Sequence, residues 1–284
     1  MKADNRFLNM PKSFWASARS LSQEIGYAKR NKILIPSYTE MVTAFKNLNL
    51  DPNQLINQQK ETALARQLYD YFKYRSHILT KIAEPNLMEA EEAKKIFDGL
   101  KNKLNPRCPL PMNKQKGDKK AYAYFTGIIN MLIEKHSDGI TCDYDPRKLT
   151  TVTFNNAPLR TLSRRVDGAF SDTVNPIAIW EIKEYYYTTT FGSRIADGVY
   201  ETLLDGLELE ELREHESIDV KHYLMVDAYN TWWKDGKSYL CRMVDMLHMG
   251  YVDEILFGKE VINELPRIVS EWVKIYQQTP LSER

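Results

Sequence analysis

Glu181 and Lys183 stand two residues apart at the end of PIAIWEIK, residues 176–183, whose other positions are apolar. On a strand, alternation sends both side chains to one face, in line with Ile177 and Ile179, while Ala178, Trp180 and Ile182 take the other. Both faces are apolar up to Trp180, the pattern of a central strand covered on each side. Charge at such a place costs free energy unless it is paired, hydrated or bound to a metal. A plain Glu181–Lys183 ion pair is one solution. A second carboxylate opens another, because Asp167 lies in the β-like run RTLSRRVDGAF, residues 160–170. The turn SDTVNP joins that run to the next as a hairpin and brings Asp167 to Glu181. Asp172 competes for the role but sits within turn chemistry.

Two converging carboxylates suit a hard divalent cation such as Mg²⁺, which prefers oxygen and keeps several of its waters. Such a cation acidifies a bound water and neutralises charge developing on a phosphate oxygen. Lys183 beside it can orient that water or stabilise the transition state. In that arrangement Asp167 and Glu181 would hold the metal, and Lys183 would complete the site.

A sheet must hold these residues, and the surrounding patterns supply one. AYAYFTGIINMLIEKHS reads as an amphipathic helix, and TTVTF and the 160–170 run read as strands. After PIAIWEIK come a long helical pattern over SRIADGVYETLLDGLELEELRE, an apolar strand at KHYLMVDAYN, a helix, the short strand EILFG and a closing helix. Alternation of this kind predicts an α/β fold, a mixed central sheet flanked by helices. Residues 11–100 instead place apolar residues at spacings of three and four in four stretches, punctuated at Pro36-Ser37, Asp51-Pro52 and Glu84-Pro85, with no strand signal. Arg66, Lys73 and Arg75 read as helix-surface charges. Between the two regions KNKLNPRCPLPMNKQKGDKK holds three prolines, seven basic residues and one acid. The expected organisation is an all-helical N-terminal domain over 1–105, a basic linker over 106–120 and an α/β catalytic domain over 121–284.

The net charge of +1 conceals a division. Residues 1–120 carry 22 Lys and Arg against 12 Asp and Glu, and residues 121–284 carry 17 against 26. A basic half facing a polyanion and a mere drift of solvated helix faces both account for this. Lys29, Arg30 and Lys32 in GYAKRNK are candidate phosphate contacts or a solvated loop. Arg164 and Arg165 are candidate DNA contacts or partners of the acidic half. The longest apolar run, about FTGIINMLI, is far short of the ~20 residues that span a bilayer, so no membrane partner is expected. No phosphate-cradling glycine loop occurs, which excludes a nucleotide cofactor of that type. Three scattered cysteines and a leader without an apolar core point to a reducing, cytoplasmic setting.

An Asp at one strand of a hairpin, followed by Glu-x-Lys ending an apolar strand, resembles the PD-(D/E)XK nuclease superfamily. The pattern here is Val166-Asp167-Gly168 and then Glu181-Ile182-Lys183, and the flanking order of elements extends the likeness over about residues 120–260. The departures are Val166 in place of proline and Thr126 in the preceding helix where many members carry a carboxylate. The resemblance implies a restriction-endonuclease-like core, with Mg²⁺, replaceable by Mn²⁺, held by Asp167, Glu181 and the main-chain carbonyl of Ile182. It further implies cleavage of double-stranded DNA to 5′-phosphates by a type II restriction enzyme acting as a homodimer. A DNA repair or junction nuclease of the same fold is the alternative enzyme. A DNA-binding protein without catalysis is the alternative outside enzymes.

Overall fold

The computed structural model describes residues 1–29, 32–113, 121–187 and 192–279. Amphipathic periodicity becomes helix throughout: α1 (Lys12–Ile25), α2 (Tyr38–Asn47), α3 (Ala63–Ile78), α4 (Ala90–Leu104), α5 (Tyr124–His136), α6 (Ser193–Glu216), α7 (Lys237–His248) and α8 (Glu260–Gln278). Local chemistry sets several starts. Ser37 and Glu40 form a reciprocal capping box at α2. The Thr62 hydroxyl accepts the Ala65 amide at α3. Helices α1 to α3 close around Phe14, Trp15, Met41, Phe45, Leu68, Tyr71 and Phe72.

The strands are β1 (Cys142–Asp143), β2 (Thr151–Phe154), β3 (Ala157–Thr161), β4 (Gly168–Phe170), β5 (Ala178–Glu184), β6 (Lys221–Asp227) and β7 (Glu254–Phe257). Five of them make one mixed sheet in the order β7-β6-β5-β4-β1. Strands β1, β4 and β5 run antiparallel in turn, whereas β6 is parallel to both β5 and β7. Helices α6 and α7 make the crossovers that parallel pairing requires. One sheet face, through Ala178, Trp180, Tyr223, Met225 and Leu256, packs on α4, α5 and α8. The other face meets α6 through Ile179, and meets α7 through Leu224, Val226, Ile255 and Phe257. The expected mixed sheet flanked by helices is present. No helix among the described residues is long and apolar enough to cross a membrane.

Several details differ from, or add to, the sequence expectation. Helix α4 packs on α5 and the sheet, with Phe97 fully buried among Phe125, Ile128 and Trp272, so it joins the α/β layer rather than the helices before it. The described flanks of the basic linker close on each other. The Asn113 amide donates to Ala121 O at 2.7 Å, and the Ala123 amide to Pro111 O at 2.8 Å; residues 114–120 lie outside the described residues. Two two-residue hairpins, Ala28–Lys29 with Lys32–Ile33 and Ile56–Asn57 with Lys60–Glu61, interrupt the helical region. Finally, the 160–170 run is two strands. Strand β3 leaves to pair with β2 in its own hairpin, and the Ser163 amide is taken by the Glu208 carboxylate at 3.0 Å instead of by a ladder. Arg75 is also no surface charge, being 1% exposed and bonded to Asp245 of α7.

Candidate active site

Strand β5 outruns its neighbour. Gly168, the first residue of β4, is the register partner of Trp180, so nothing in β4 stands opposite Ile182. Asp167 fills the gap from just before the strand. Its amide donates to Trp180 O at 3.2 Å, and its Oδ2 accepts the Ile182 amide at 2.8 Å in place of the missing ladder bond. The same Asp167 amide lies 3.2 Å from Glu181 Oε1. Because amide and carbonyl of one strand residue leave on the same side, the Ile182 carbonyl is directed toward the Asp167 edge as well. Gly168 is required here by space, since a Cβ would fall 2.1 Å from the Trp180 indole. Asp172, by contrast, bonds Thr173 within its own turn.

Glu181 and Lys183 share the β5 face that α6 covers. Glu181 is completely buried and Lys183 nearly so. Lys183 Nζ donates to Glu181 Oε2 at 2.7 Å. The other Glu181 oxygen is held by Arg164 Nη1 at 2.9 Å, and the same nitrogen reaches Asp205 Oδ2 at 2.7 Å. Glu201 Oε2 stands 3.4 Å from both Arg164 Nη2 and Lys183 Nζ. Gly198 makes room for this on α6, where a Cβ would lie 3.2 Å from Lys183 Cδ and 2.8 Å from the Tyr185 hydroxyl.

Four carboxylates, Asp167, Glu181, Glu201 and Asp205, thus surround two cations, Arg164 and Lys183. Burial raises the Glu181 carboxyl, but Lys183 and Arg164 outweigh it and hold the group below its ordinary value. Burial, and then the Glu181 charge, push Asp167 up to about 6. The same two causes push Asp205 up to about 7, against the pull of Arg164. Burial works against the Lys183 ammonium, yet Glu181 and Asp167 keep it above the ordinary lysine range. Titratable groups displaced in this way, clustered beside a strand end, are a signature of sites that bind charge or move protons.

Would these residues suit a divalent cation? Asp205 Oδ1 is buried without a hydrogen-bond partner. With all four carboxylates ionised the cluster carries a formal charge of −2, which one divalent cation balances. Among the described residues no three His, Cys, Asp and Glu side chains are arranged to hold a metal ion. A cation held here would have one or two carboxylates and keep most of its waters.

The remaining candidates fall elsewhere. Arg164 pairs with the carboxylates of the acidic half, one of its two expected roles, while Arg165 is exposed. Lys29 and Lys32 are exposed partners across the short hairpin. Arg30 lies outside the described residues. Thr126 is on the opposite sheet face, where its amide and hydroxyl bond Glu184 Oε2 at 3.0 and 2.9 Å. Glu201 and Asp205 were not foreseen. Their signal was the acidic series Glu201, Asp205 and Glu208 at helical spacing along α6, which bonds Arg164 and Ser163.

A family model described as a domain of unknown function (DUF7687) matches residues 88–272, and a second (DUF7690) matches residues 1–82. The division between them assigns α4 to the sheet-bearing region, as its packing does. No curated protein and no solved structure matches the chain.

Proposed function

The chain belongs to the family described as a domain of unknown function (DUF7687), and we propose that it is a Mg²⁺-dependent endonuclease of double-stranded DNA. The observation that carries this is the placement of Asp167 beside Glu181 where β5 outruns β4, its amide 3.2 Å from Glu181 Oε1, with Lys183 on the same face as Glu181. Two further features support it. The order of helix, antiparallel hairpin, helix and parallel strand agrees with the nuclease resemblance, and the excess of carboxylate over cation favours a divalent metal.

Asp167 and Glu181 would hold the cation, with Mn²⁺ as a substitute, and the Ile182 carbonyl is aimed to assist. When bound, the metal supplies an acidified water and a positive charge beside the phosphate. The chain's own residues do the rest. Lys183, kept protonated by Glu181, serves as a fixed positive charge for the phosphorane rather than as a base. Asp205, raised to about 7 by burial and the Glu181 charge, is only partly ionised near neutral pH, and a bound cation would favour its carboxylate form. Arg164 positions Glu181 and Asp205 together. By resemblance the role is a type II restriction enzyme leaving 5′-phosphates. Cutting both strands with one site per chain calls for two copies, so a homodimer is part of the proposal.

The test is cleavage of long unmethylated duplex DNA with Mg²⁺, beside a chelator control, Asp167→Ala and Lys183→Ala. Discrete fragments lost in all three controls support a sequence-specific enzyme, and a metal-dependent smear points to the repair or junction nuclease. Intact DNA across Mg²⁺ and Mn²⁺ rejects catalysis. One observation favours a DNA-binding protein without catalysis: both Glu181 oxygens are already taken by Arg164 and Lys183. Calorimetric titration with Mn²⁺ separates the two, since a purely structural ion pair binds no metal and is indifferent to Asp167→Ala.

A further inference from the structure

Where β6 ends at Asp227, the chain turns through Asn230–Asp235 into α7, on the same sheet face and at the same end as the candidate site. Trp232 in this turn is fully buried and touches the site directly. Its indole N–H donates to Lys183 O at 3.2 Å, and its ring packs on Tyr185 at 5.4 Å. The next residues open onto a cavity of about 550 Å³, walled by Lys234 and Lys237 on one side and by Lys32 of the first hairpin on the other.

The charge of this cavity is unbalanced. Three lysines line it against a single carboxylate, Glu84, which accepts a hydrogen bond from the Tyr229 hydroxyl at 3.4 Å. None of the three lysines makes an ion pair among the described residues, although Lys2, Lys94, Lys183, Lys221 and Lys259 all do. Lys237 is 5% exposed, and its ammonium donates to Trp233 O and lies 4.4 Å from the Trp233 ring centroid. An ammonium has three N–H donors, so two are left for a ligand. Burial pulls this ammonium below the ordinary lysine range, a cost that an entering anion would offset. Lys32 and Lys234 stand exposed at the rim.

The ligand chemistry follows from the donors. Ammonium groups present point charges without the forked geometry that selects one planar group, so they suit phosphate oxygens in a sequence-independent way. The open rim suits a continuous chain of phosphates better than an enclosed small anion. We propose that this lysine cavity seats neighbouring backbone phosphates of the DNA duplex, away from the bond that is cut. The inference rests on the nuclease reading for its choice of duplex DNA.

Binding without cleavage tests it. Anisotropy of a labelled duplex in chelator is measured over a series of salt concentrations for the wild type, for Lys32→Ala with Lys234→Ala, and for a control pair, Lys46→Ala with Lys95→Ala. Both cavity substitutions are at exposed positions, and matched thermal midpoints establish that the variant folds. The expected result is binding at least ~10-fold weaker and a log–log salt slope shallower by roughly two in the cavity variant alone, since each lost phosphate contact removes about 0.9. Wild-type affinity and slope in that variant, or no duplex binding by the wild type, overturn the proposal. So does a thermal shift with millimolar inorganic phosphate that the cavity variant loses while its duplex affinity is intact, which would mark a small-anion site. The two readings fail separately. A protein that never cuts but binds through these lysines loses only the nuclease assignment, whereas one that cuts while the cavity variant binds normally loses only the cavity.

Discussion

Arg164 Nη1 lies 2.9 Å from Glu181 Oε1, and through the same nitrogen it ties that buried carboxylate to Asp205 at 2.7 Å. One guanidinium therefore stands where two carboxylates would otherwise repel. Removing one partner from a buried ion cluster typically costs about 3–5 kcal/mol, because the remaining charge is left uncompensated. Arg164→Ala should show a loss of that order by urea unfolding in chelator. If the carboxylates bind metal, Mg²⁺ should restore more stability to the variant than it adds to the wild type. Equal Mg²⁺ effects on both proteins would remove Glu181 from the list of ligands.

The displaced carboxyls give a pH dependence of definite sign. Asp167 titrates at about 6 and Asp205 at about 7 in the folded chain, against about 3.9 for an unperturbed Asp. Between these values the folded state holds protons that the unfolded state has released. The stability they contribute is full below about pH 4 and is lost as pH rises through 6 and 7. Glu181, held low, acts in the opposite sense, but only below its unfolded value of about 4.3. In chelator these two groups should accordingly lower the unfolding free energy from pH 5 to pH 7.5, by up to about 1.4 kcal/mol per pH unit for each proton. His222 and His248, which burial holds low, act in the opposite sense. Asp205→Asn should flatten the upper part of that fall. A variant that keeps the wild-type slope would mean that Asp205 is not the group titrating there.

Helix α3 is joined to α7 by a second buried cluster. Arg75 Nη1 meets both oxygens of Asp245, at 2.9 and 3.1 Å, and the Tyr71 hydroxyl donates to the same carboxylate. The guanidinium lies 4.9 Å from the Phe72 ring centroid and donates to Ser22 Oγ at 3.2 Å. Asp245→Ala leaves Arg75 charged in the interior and should cost about 3–5 kcal/mol. Replacing both, as Arg75→Met with Asp245→Leu, should recover a large part of that loss. Simple addition of the two single costs in the double variant would contradict a coupled pair.

The convergence of Asp167, Glu181 and Lys183 was legible because strand alternation and a short turn are local properties. The break between Thr161 and Gly168 was not, since the Ser163 amide is satisfied by Glu208, forty-five positions away. Periodicity likewise tells that α4 buries one face but not against what. The answer lies in Phe97, which packs so closely on α5 that a Cβ at Gly127 would fall 2.4 Å from its ring. The acidic stripe of α6 carries the spacing of a solvated face. Only the position of Arg164, drawn inward by the departure of β3, turns Asp205 into a buried member of the site.

Gly168 offers the sharpest test of how the fold holds Asp167. The Trp180 indole covers the Gly168 Cα, and it has nowhere to retreat, being stacked on Trp272 at 5.6 Å with 9° between the planes. Gly168→Ala must therefore separate β4 from β5 or displace the indole, and overpacking of this kind costs typically 1–3 kcal/mol. Either movement carries Asp167 with it, because its amide is bonded to Trp180 O and its carboxylate to the Ile182 amide. The expected outcome is a lower thermal midpoint together with weakened Mn²⁺ binding by calorimetry. Pairing Gly168→Ala with Trp180→Phe, which trims the indole, should recover metal binding ahead of stability, since the smaller ring frees the Cβ but leaves a void against Trp272. A Gly168→Ala protein with unchanged midpoint and unchanged metal affinity would show that Asp167 is positioned by something other than the Gly168–Trp180 contact.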